Sequence, residues 1–170
     1  FAGAWMGQYL DLILKFPVAF DLAGLLKGFK SLIWQRAAPN RDIVRFSLPS
    51  MLSRKKGHIF ITSSVCGRVS VPYWAVYNAS KWAVIGFGDS VRKEVCSQGI
   101  RVTLVEPGMV ETDFNAVANA SDNQAMKDFL AAISPILEPK DVANAMVFAY
   151  QQPPYVSINE ILVRPTKQEP

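Results

Sequence analysis

The sequence predicts an α/β fold in which helices flank a parallel sheet. Three short apolar runs carry that expectation: His58-Ile59-Phe60-Ile61-Thr62, Ile100-Arg101-Val102-Thr103-Leu104-Val105, and Ile158 to Val163. Runs this short and nearly unbroken suit strands buried on both faces. Helix-like segments separate them, first Ala75 to Ser97, then 124–133 and 139–150. Strand, helix, strand, helix, strand in that order implies right-handed crossovers and parallel neighbours.

The elements follow from local signals in chain order. Phe1 to Asn40 mixes apolar residues with scattered Gly and Pro, and no single period runs through it. Trp5–Phe16 and Leu22–Trp34 are its candidate helices. Ala37-Ala38-Pro39-Asn40 is a natural break, because proline disfavours helix in the residue before it. This separates a divergent segment, 1–40, from the α/β unit, 41–170. Ile43, Val44, Phe46, Leu48, Met51 and Leu52 read as one helix face, kinked at Pro49 and ended by Gly57 as the residue after the cap. Ser63 to Trp74, with Gly67 and Pro72, reads as a loop. The long helix that follows presents Val76, Ala79, Trp82, Ala83, Ile85, Gly86 and Val91 as its apolar residues and closes at Gly99. Pro107-Gly108 stops the second strand. Pro139 opens the last helix at a favoured N-terminal position.

Composition removes several classes of function. The chain has 170 residues, a length that fits one domain, and 50% of them are apolar, enough to fill a core. Eighteen Lys and Arg against fourteen Asp and Glu leave +4, thinly spread. The one basic run, Arg54-Lys55-Lys56, suits a helix C-terminus, so nucleic-acid binding is not indicated. Cys66 and Cys96 are too few for a zinc site or a disulfide scaffold; as reduced thiols they fit a cytoplasmic protein. The most apolar stretch, Leu10 to Phe29, is interrupted by Asp11, Lys15, Pro17, Asp21, Lys27 and Gly28, whereas a bilayer span needs about 20 largely uncharged residues. Membrane insertion is therefore not expected, and Phe1-Ala2-Gly3-Ala4-Trp5 lacks the basic start of a secretory signal.

One constellation carries chemistry: Ser64, Tyr77 and Lys81. Tyr77 and Lys81 lie four apart near the start of the long helix and so share a face. A lysine ammonium there favours the tyrosinate and lowers a phenol pKa that is ordinarily about 10. That equips Tyr77 to donate or accept a proton near neutral pH. Ser64, at the end of the preceding strand, is placed to hydrogen-bond an oxygen that gains charge. Tyr-x-x-x-Lys alone is weak evidence, since an exposed tyrosine beside a lysine is its ordinary reading.

Three segments in order change that weighting: Gly57-His58-Ile59-Phe60-Ile61-Thr62-Ser63-Ser64, Tyr77-Asn78-Ala79-Ser80-Lys81, and Gly99 through Val105 into Glu106-Pro107-Gly108-Met109-Val110-Glu111-Thr112. Together they resemble the short-chain dehydrogenase/reductase family over about residues 41–166. The ending Ile158-Asn159-Glu160-Ile161-Leu162-Val163-Arg164-Pro165-Thr166 is similar to the NADP-dependent 3-hydroxy acid and serine dehydrogenase branch. The resemblance implies a partial Rossmann-like sheet and an oxidoreductase interconverting a hydroxyl and a carbonyl with NADP or NAD. It implies Tyr77 as the acid/base and Lys81 as the holder of the nicotinamide ribose. Ser64 rather than Ser63 would orient the substrate, because the family's serine lies thirteen residues before its tyrosine. Pro107, Gly108, Val110 and Thr112 match the segment that lies against the nicotinamide, and Asn115 to Ser134 matches the substrate lid. A small-molecule alcohol or carbonyl substrate follows, with homo-oligomers, or pairs with related chains, formed through the helices around 41–54 and 75–97.

The family's opening strand, Gly-rich turn and helix, which hold the pyrophosphate, have no counterpart: neither Gly-x-x-x-Gly-x-Gly nor Gly-x-Gly-x-x-Gly occurs. Leu25-Leu26-Lys27-Gly28 is the nearest match to the segment bearing the family's catalytic asparagine, with leucine where asparagine is needed. The expectation is the C-terminal half of such an enzyme, with little or no NADP binding by itself. The rival expectation is a catalytically inactive chain that pairs with full-length relatives.

Overall fold

The computed structural model describes residues 40–113 and 124–169. The expected helices Trp5–Phe16 and Leu22–Trp34, the Leu25–Gly28 segment, and the lid before Gln124 lie outside the described residues. Helix α1 spans 40–54. It is followed by β1 (Gly57–Thr62), a 3-10 turn (Val65–Gly67), α2 (Ala75–Val95) and β2 (Ile100–Pro107). Helices α3 (Gln124–Ile133) and α4 (Pro139–Tyr150) lead to β3 (Glu160–Val163). The strands form one parallel sheet in the order β1-β2-β3, with Ile59 opposite Val102, Ile61 opposite Leu104, and Leu104 opposite Glu160. The strand-helix alternation thus yields the parallel α/β sheet expected of it. β3 starts at Glu160 rather than Ile158, because at Ile158 and Asn159 only the carbonyls engage β2, accepting from the Thr103 hydroxyl and the Leu104 amide.

Alternation along the strands sorts the two faces. Ile59, Ile61, Val102 and Leu104 join Val44, Val84, Val91 and Val95 in one buried cluster, so α1 and α2 cover that side. His58 stacks against Tyr150 at 6.3 Å, and the Arg101 guanidinium donates to the carbonyls of Ala149, Tyr150, Gln152 and Val156, so the other side meets the end of α4. A cation on otherwise unpaired carbonyls at a helix C-terminus satisfies both their hydrogen bonding and the helix dipole.

Three expectations about the helices need correction. Of the six residues assigned to one face of α1, Val44, Leu48 and Met51 pack on the core, while Ile43 and Phe46 are exposed, at 65% and 79%. The left-handed cap is Lys55 (φ 48°), not Gly57. Lys56 N–H donates to the Met51 carbonyl and Lys55 N–H to the Leu52 carbonyl, the paired bonds of a Schellman ending. Gly57 instead opens β1, and a Cβ there would lie 2.6 Å from Met51 Sδ. In α2 the buried residues are Asn78, Ser80, Val84, Gly88, Val91 and Val95, while Val76 and Trp82 face outward. The reason is close approach: a Cβ on Gly88 would sit 2.5 Å from Leu104 Cδ2. Small residues, not large apolar ones, let this helix reach the sheet. Gly99 (φ 72°) closes the helix region as expected, after a 3-10 turn at Cys96–Gln98.

Two measurements test this packing. Gly88→Val should destabilise the chain by about 1–3 kcal/mol, read as a lower denaturant midpoint, because the added side chain would displace the buried Leu104 side chain and crowd Ile61. An unchanged midpoint would contradict the close approach. The second concerns His58, the chain's one histidine. Burial, helped by the Arg101 charge, pushes its pKa down to about 4 from 6.5. Between those values the unfolded chain binds a proton that the folded chain excludes. The stability contribution is therefore complete above about pH 6.5 and declines as pH falls toward 4. Melting temperature should fall more steeply across that window for the wild type than for His58→Gln; parallel profiles would refute it.

Candidate active site

Parallel strands end together, and the carboxyl ends of β1 and β2 border a cleft of about 350 Å³ lined by Ser63, Ser64, Cys66, Trp74, Tyr77, Pro107, Gly108, Val110 and Thr112, among others. Ser63 and Ser64 follow β1 directly, Tyr77 lies in the first turn of α2, and Pro107 ends β2. Of the residues singled out from sequence, Ser64, Tyr77, Pro107, Gly108, Val110 and Thr112 all face this cleft. Lys81 stands behind it, its ammonium 5.5 Å from the centre of the Tyr77 ring and donating to the Ser63 carbonyl at 3.0 Å.

The strand end and the helix are tied in both directions. Ser63 Oγ donates to the Lys81 carbonyl at 3.0 Å, while Lys81 Nζ donates to the Ser63 carbonyl. Ser63 thus commits its hydroxyl to the scaffold at the edge of the cleft. Ser64 Oγ accepts from the Cys66 amide at 3.2 Å, capping the 3-10 turn. An accepting hydroxyl keeps its own proton available to donate. Burial pushes the Cys66 thiol above its ordinary pKa, so it behaves as a small apolar group in the wall.

Residues not foreseen from sequence form the walls or brace them from behind. Trp74 precedes α2, and its ring meets Tyr77 edge-on, 5.3 Å between centroids. The turn that delivers it has Tyr73 at φ 67°, a left-handed conformation rare for a bulky residue. Asn78 Nδ2 anchors the same turn by donating to the Val71 carbonyl at 2.9 Å. The spacing of three between Trp74 and Tyr77 was the available signal. Arg68, from the end of the 3-10 turn, holds the buried Glu106 through two 2.7 Å bonds and reaches Glu160 at the same distance. These bonds raise the Arg68 pKa still further above its ordinary value. On the far wall the Leu137 amide donates to the Met109 carbonyl at 3.1 Å and the Glu111 amide to the Leu137 carbonyl at 2.8 Å. No charged side chain lines the cleft among the described residues. The arrangement offers the hydroxyls of Ser64 and Tyr77 at an apolar opening beside a lysine.

Among the described residues no helix is long and apolar enough to cross a membrane, and no cluster of His, Cys, Asp and Glu is grouped to hold a metal ion. The family model described as short chain dehydrogenase matches residues 41–123. Glycine betaine reductase ATRR of Emericella nidulans is 41% identical over 125 residues, 73% of this chain and 10% of that protein. An uncharacterised oxidoreductase of Staphylococcus saprophyticus is 39% identical over 118 residues, 69% of this chain and 46% of that protein. The solved structure of a serine dehydrogenase complexed with NADP+ is 31% identical, with a TM-score of 0.66, over 74% of this chain and 50% of that one. The chain thus spans about half the length of these relatives, or less. By motif, fold and likeness, the chain belongs, through this α/β unit, to the short-chain dehydrogenase/reductase family.

Proposed function

We propose that this chain carries the proton-transfer centre of an NAD(P)-dependent oxidoreductase that interconverts a hydroxyl and a carbonyl on a small molecule. The observation that carries the reading is the gathering of Ser64, Tyr77, Pro107 and Gly108 on one cleft with the Lys81 ammonium beside the Tyr77 ring. An uncharged cleft of about 350 Å³, walled on one side by the backbone of 107–111, fits a nicotinamide ring and a small substrate. Pro107, Gly108, Val110 and Thr112 would hold the ring, and Lys81 its ribose. When bound, NADP or NAD supplies or takes up the hydride. The NADP+ complex of the similar serine dehydrogenase favours NADP. No glycine-rich turn opens a helix among the described residues.

The chain's own residues manage the proton. Tyr77 gives its hydroxyl proton to the carbonyl oxygen during reduction and takes it back in oxidation. Ser64 donates to the same oxygen and steadies its developing charge. Lys81 favours the ionised phenol by its charge. The unpaired thiols Cys66 and Cys96 suit the reducing cytoplasm.

Tyr77→Phe at saturating NADPH should lower carbonyl-dependent cofactor oxidation by at least about 10²-fold while changing cofactor affinity by less than about twofold. An equally active variant would remove Tyr77 from the chemistry. Self-association is the second expectation. Ile43, Phe46, Val76 and Trp82 are exposed on α1 and α2, a pattern more apolar than a solitary chain needs. Light scattering should give a mass of at least a dimer, lowered by Trp82→Asp; a monomer at high concentration would count against it.

A further inference from the structure

The amino ends of the strands border a second cavity, of about 420 Å³, lined by Arg54, Lys56, His58, Arg101, Tyr150 and Pro154, among others. Arg54 ends α1, Lys56 directly precedes β1, His58 is the second residue of β1 and Arg101 the second of β2. The six residues of β1, roughly 20 Å of strand, separate this cavity from Ser63 and Ser64. Its charge is unbalanced. Arg41, Arg68, Arg92, Lys93 and Lys140 each pair with a carboxylate, whereas Arg54, Lys56 and Arg101 pair with none among the described residues. No acidic residue lines the cavity.

Cations near helix ends ordinarily complement the dipole, and both α1 and α4 end here. That explanation falls short in magnitude. A helix C-terminus carries about −0.5 charge, so two ends offset about one of the three cations. The terminal carbonyls are also already served. Backbone amides of Lys56 and Lys55 donate to the Met51 and Leu52 carbonyls of α1, and Arg101 donates to the Ala149 and Tyr150 carbonyls of α4. About two positive charges therefore remain at one opening. His58 adds a group that responds to charge. Thr103 Oγ1 donates to the Ile158 carbonyl, so in its 2.7 Å contact with His58 Nε2 the imidazole is the donor. Nδ1 is then the bare nitrogen, buried and without a partner among the described residues. Burial and the Arg101 charge keep the ring neutral, with Phe60 and Tyr150 stacked beside it.

We propose that this cavity binds a doubly charged oxyanion of the phosphate class, free or carried on a small molecule, with Arg54 and Lys56 holding its oxygens and Arg101 adding charge from β2. The volume falls within the ordinary range of small-molecule sites. No residue of the cleft takes part, so the proposal does not rest on the oxidoreductase reading.

The chain's one histidine makes the test specific to this place. Sodium phosphate is titrated into the full chain at pH 7.5 and constant ionic strength, with the His58 ring resonances followed by NMR. They should move along a saturating curve, half complete at about 1 mM or below. Arg54→Gln and Lys56→Gln should each weaken phosphate at least about fivefold, the loss of one charged hydrogen bond, and leave the melting temperature nearly unchanged. Glycerol 3-phosphate, run in parallel, distinguishes the sources: the tighter ligand of the two shows whether the free ion or an ester is held. Sulfate keeps its double charge in acid, and its presence should move the His58 titration to higher pH, because a nearby anion favours the added proton. Chloride shifting the ring resonances as phosphate does would overturn the proposal, as would variants that bind phosphate like the wild type or a His58 midpoint that sulfate leaves unmoved.

Discussion

The cleft depends on the paired hydrogen bonds between Ser63 and Lys81. Each residue gives its side-chain donor to the other's carbonyl, so the end of β1 and the second turn of α2 are held in one relation. That relation sets the distance between Ser64, the next residue along, and Tyr77, one helical turn before Lys81. It is possible only because the surrounding approach is close. A Cβ on Gly67 would meet Ile85 Cδ1 at 2.5 Å and both the Lys81 carbonyl and Ser63 Oγ at 3.0 Å. Glycine at 67 lets the 3-10 turn lie on α2, as glycine at 88 lets α2 lie on β2.

A second tie fixes the turn to the sheet. Glu106 is 1% exposed and would be costly as a lone charge, but the Arg68 fork satisfies both of its oxygens. Removing one partner of such a pair strands a buried charge, at a typical cost of about 3–5 kcal/mol. Its worth here is geometric. Arg68 closes the 3-10 turn, Glu106 precedes Pro107, and Glu160 begins β3, so one guanidinium aligns three segments that border the cleft. The hydrophobic core supplies the mass of the packing, while these polar ties decide where the side chains of the cleft stand.

The strands were legible because two-sided burial writes itself as an apolar run, as in Ile100 to Val105. The α2 surface was misread because its buried side consists of Asn78, Ser80, Val84 and Gly88, which an apolar pattern does not register. Hydrophobicity marked Trp82 and Val76, and these turned out to face away from the sheet. The helix ending was misassigned for a related reason. Gly57 looked like the left-handed cap, but its smallness serves Met51, and Lys55 takes the strained conformation. In the cleft, Ser64, Tyr77 and Pro107-Gly108 could be read because strand ends and a helix start converge by topology. Gln168, which lines the same cleft and accepts the Met109 amide proton, could not, since nothing local relates it to Met109 across 59 residues. Arg68 and Glu106 were equally silent, as single charges carry no spacing that names a partner.

The proposed proton-transfer centre of Ser64, Tyr77 and Lys81 does not itself require a pyrophosphate holder. Reduced nicotinamide mononucleotide lacks the second nucleotide and so needs no such holder. With this compound deuterated at C4 and methyl acetoacetate as acceptor, mass spectrometry of the product reads the transfer directly. The account predicts deuterium at the carbinol carbon with the wild-type chain, reduced at least about 10²-fold in Tyr77→Phe. Transfer no faster with the wild type than with Tyr77→Phe would contradict it.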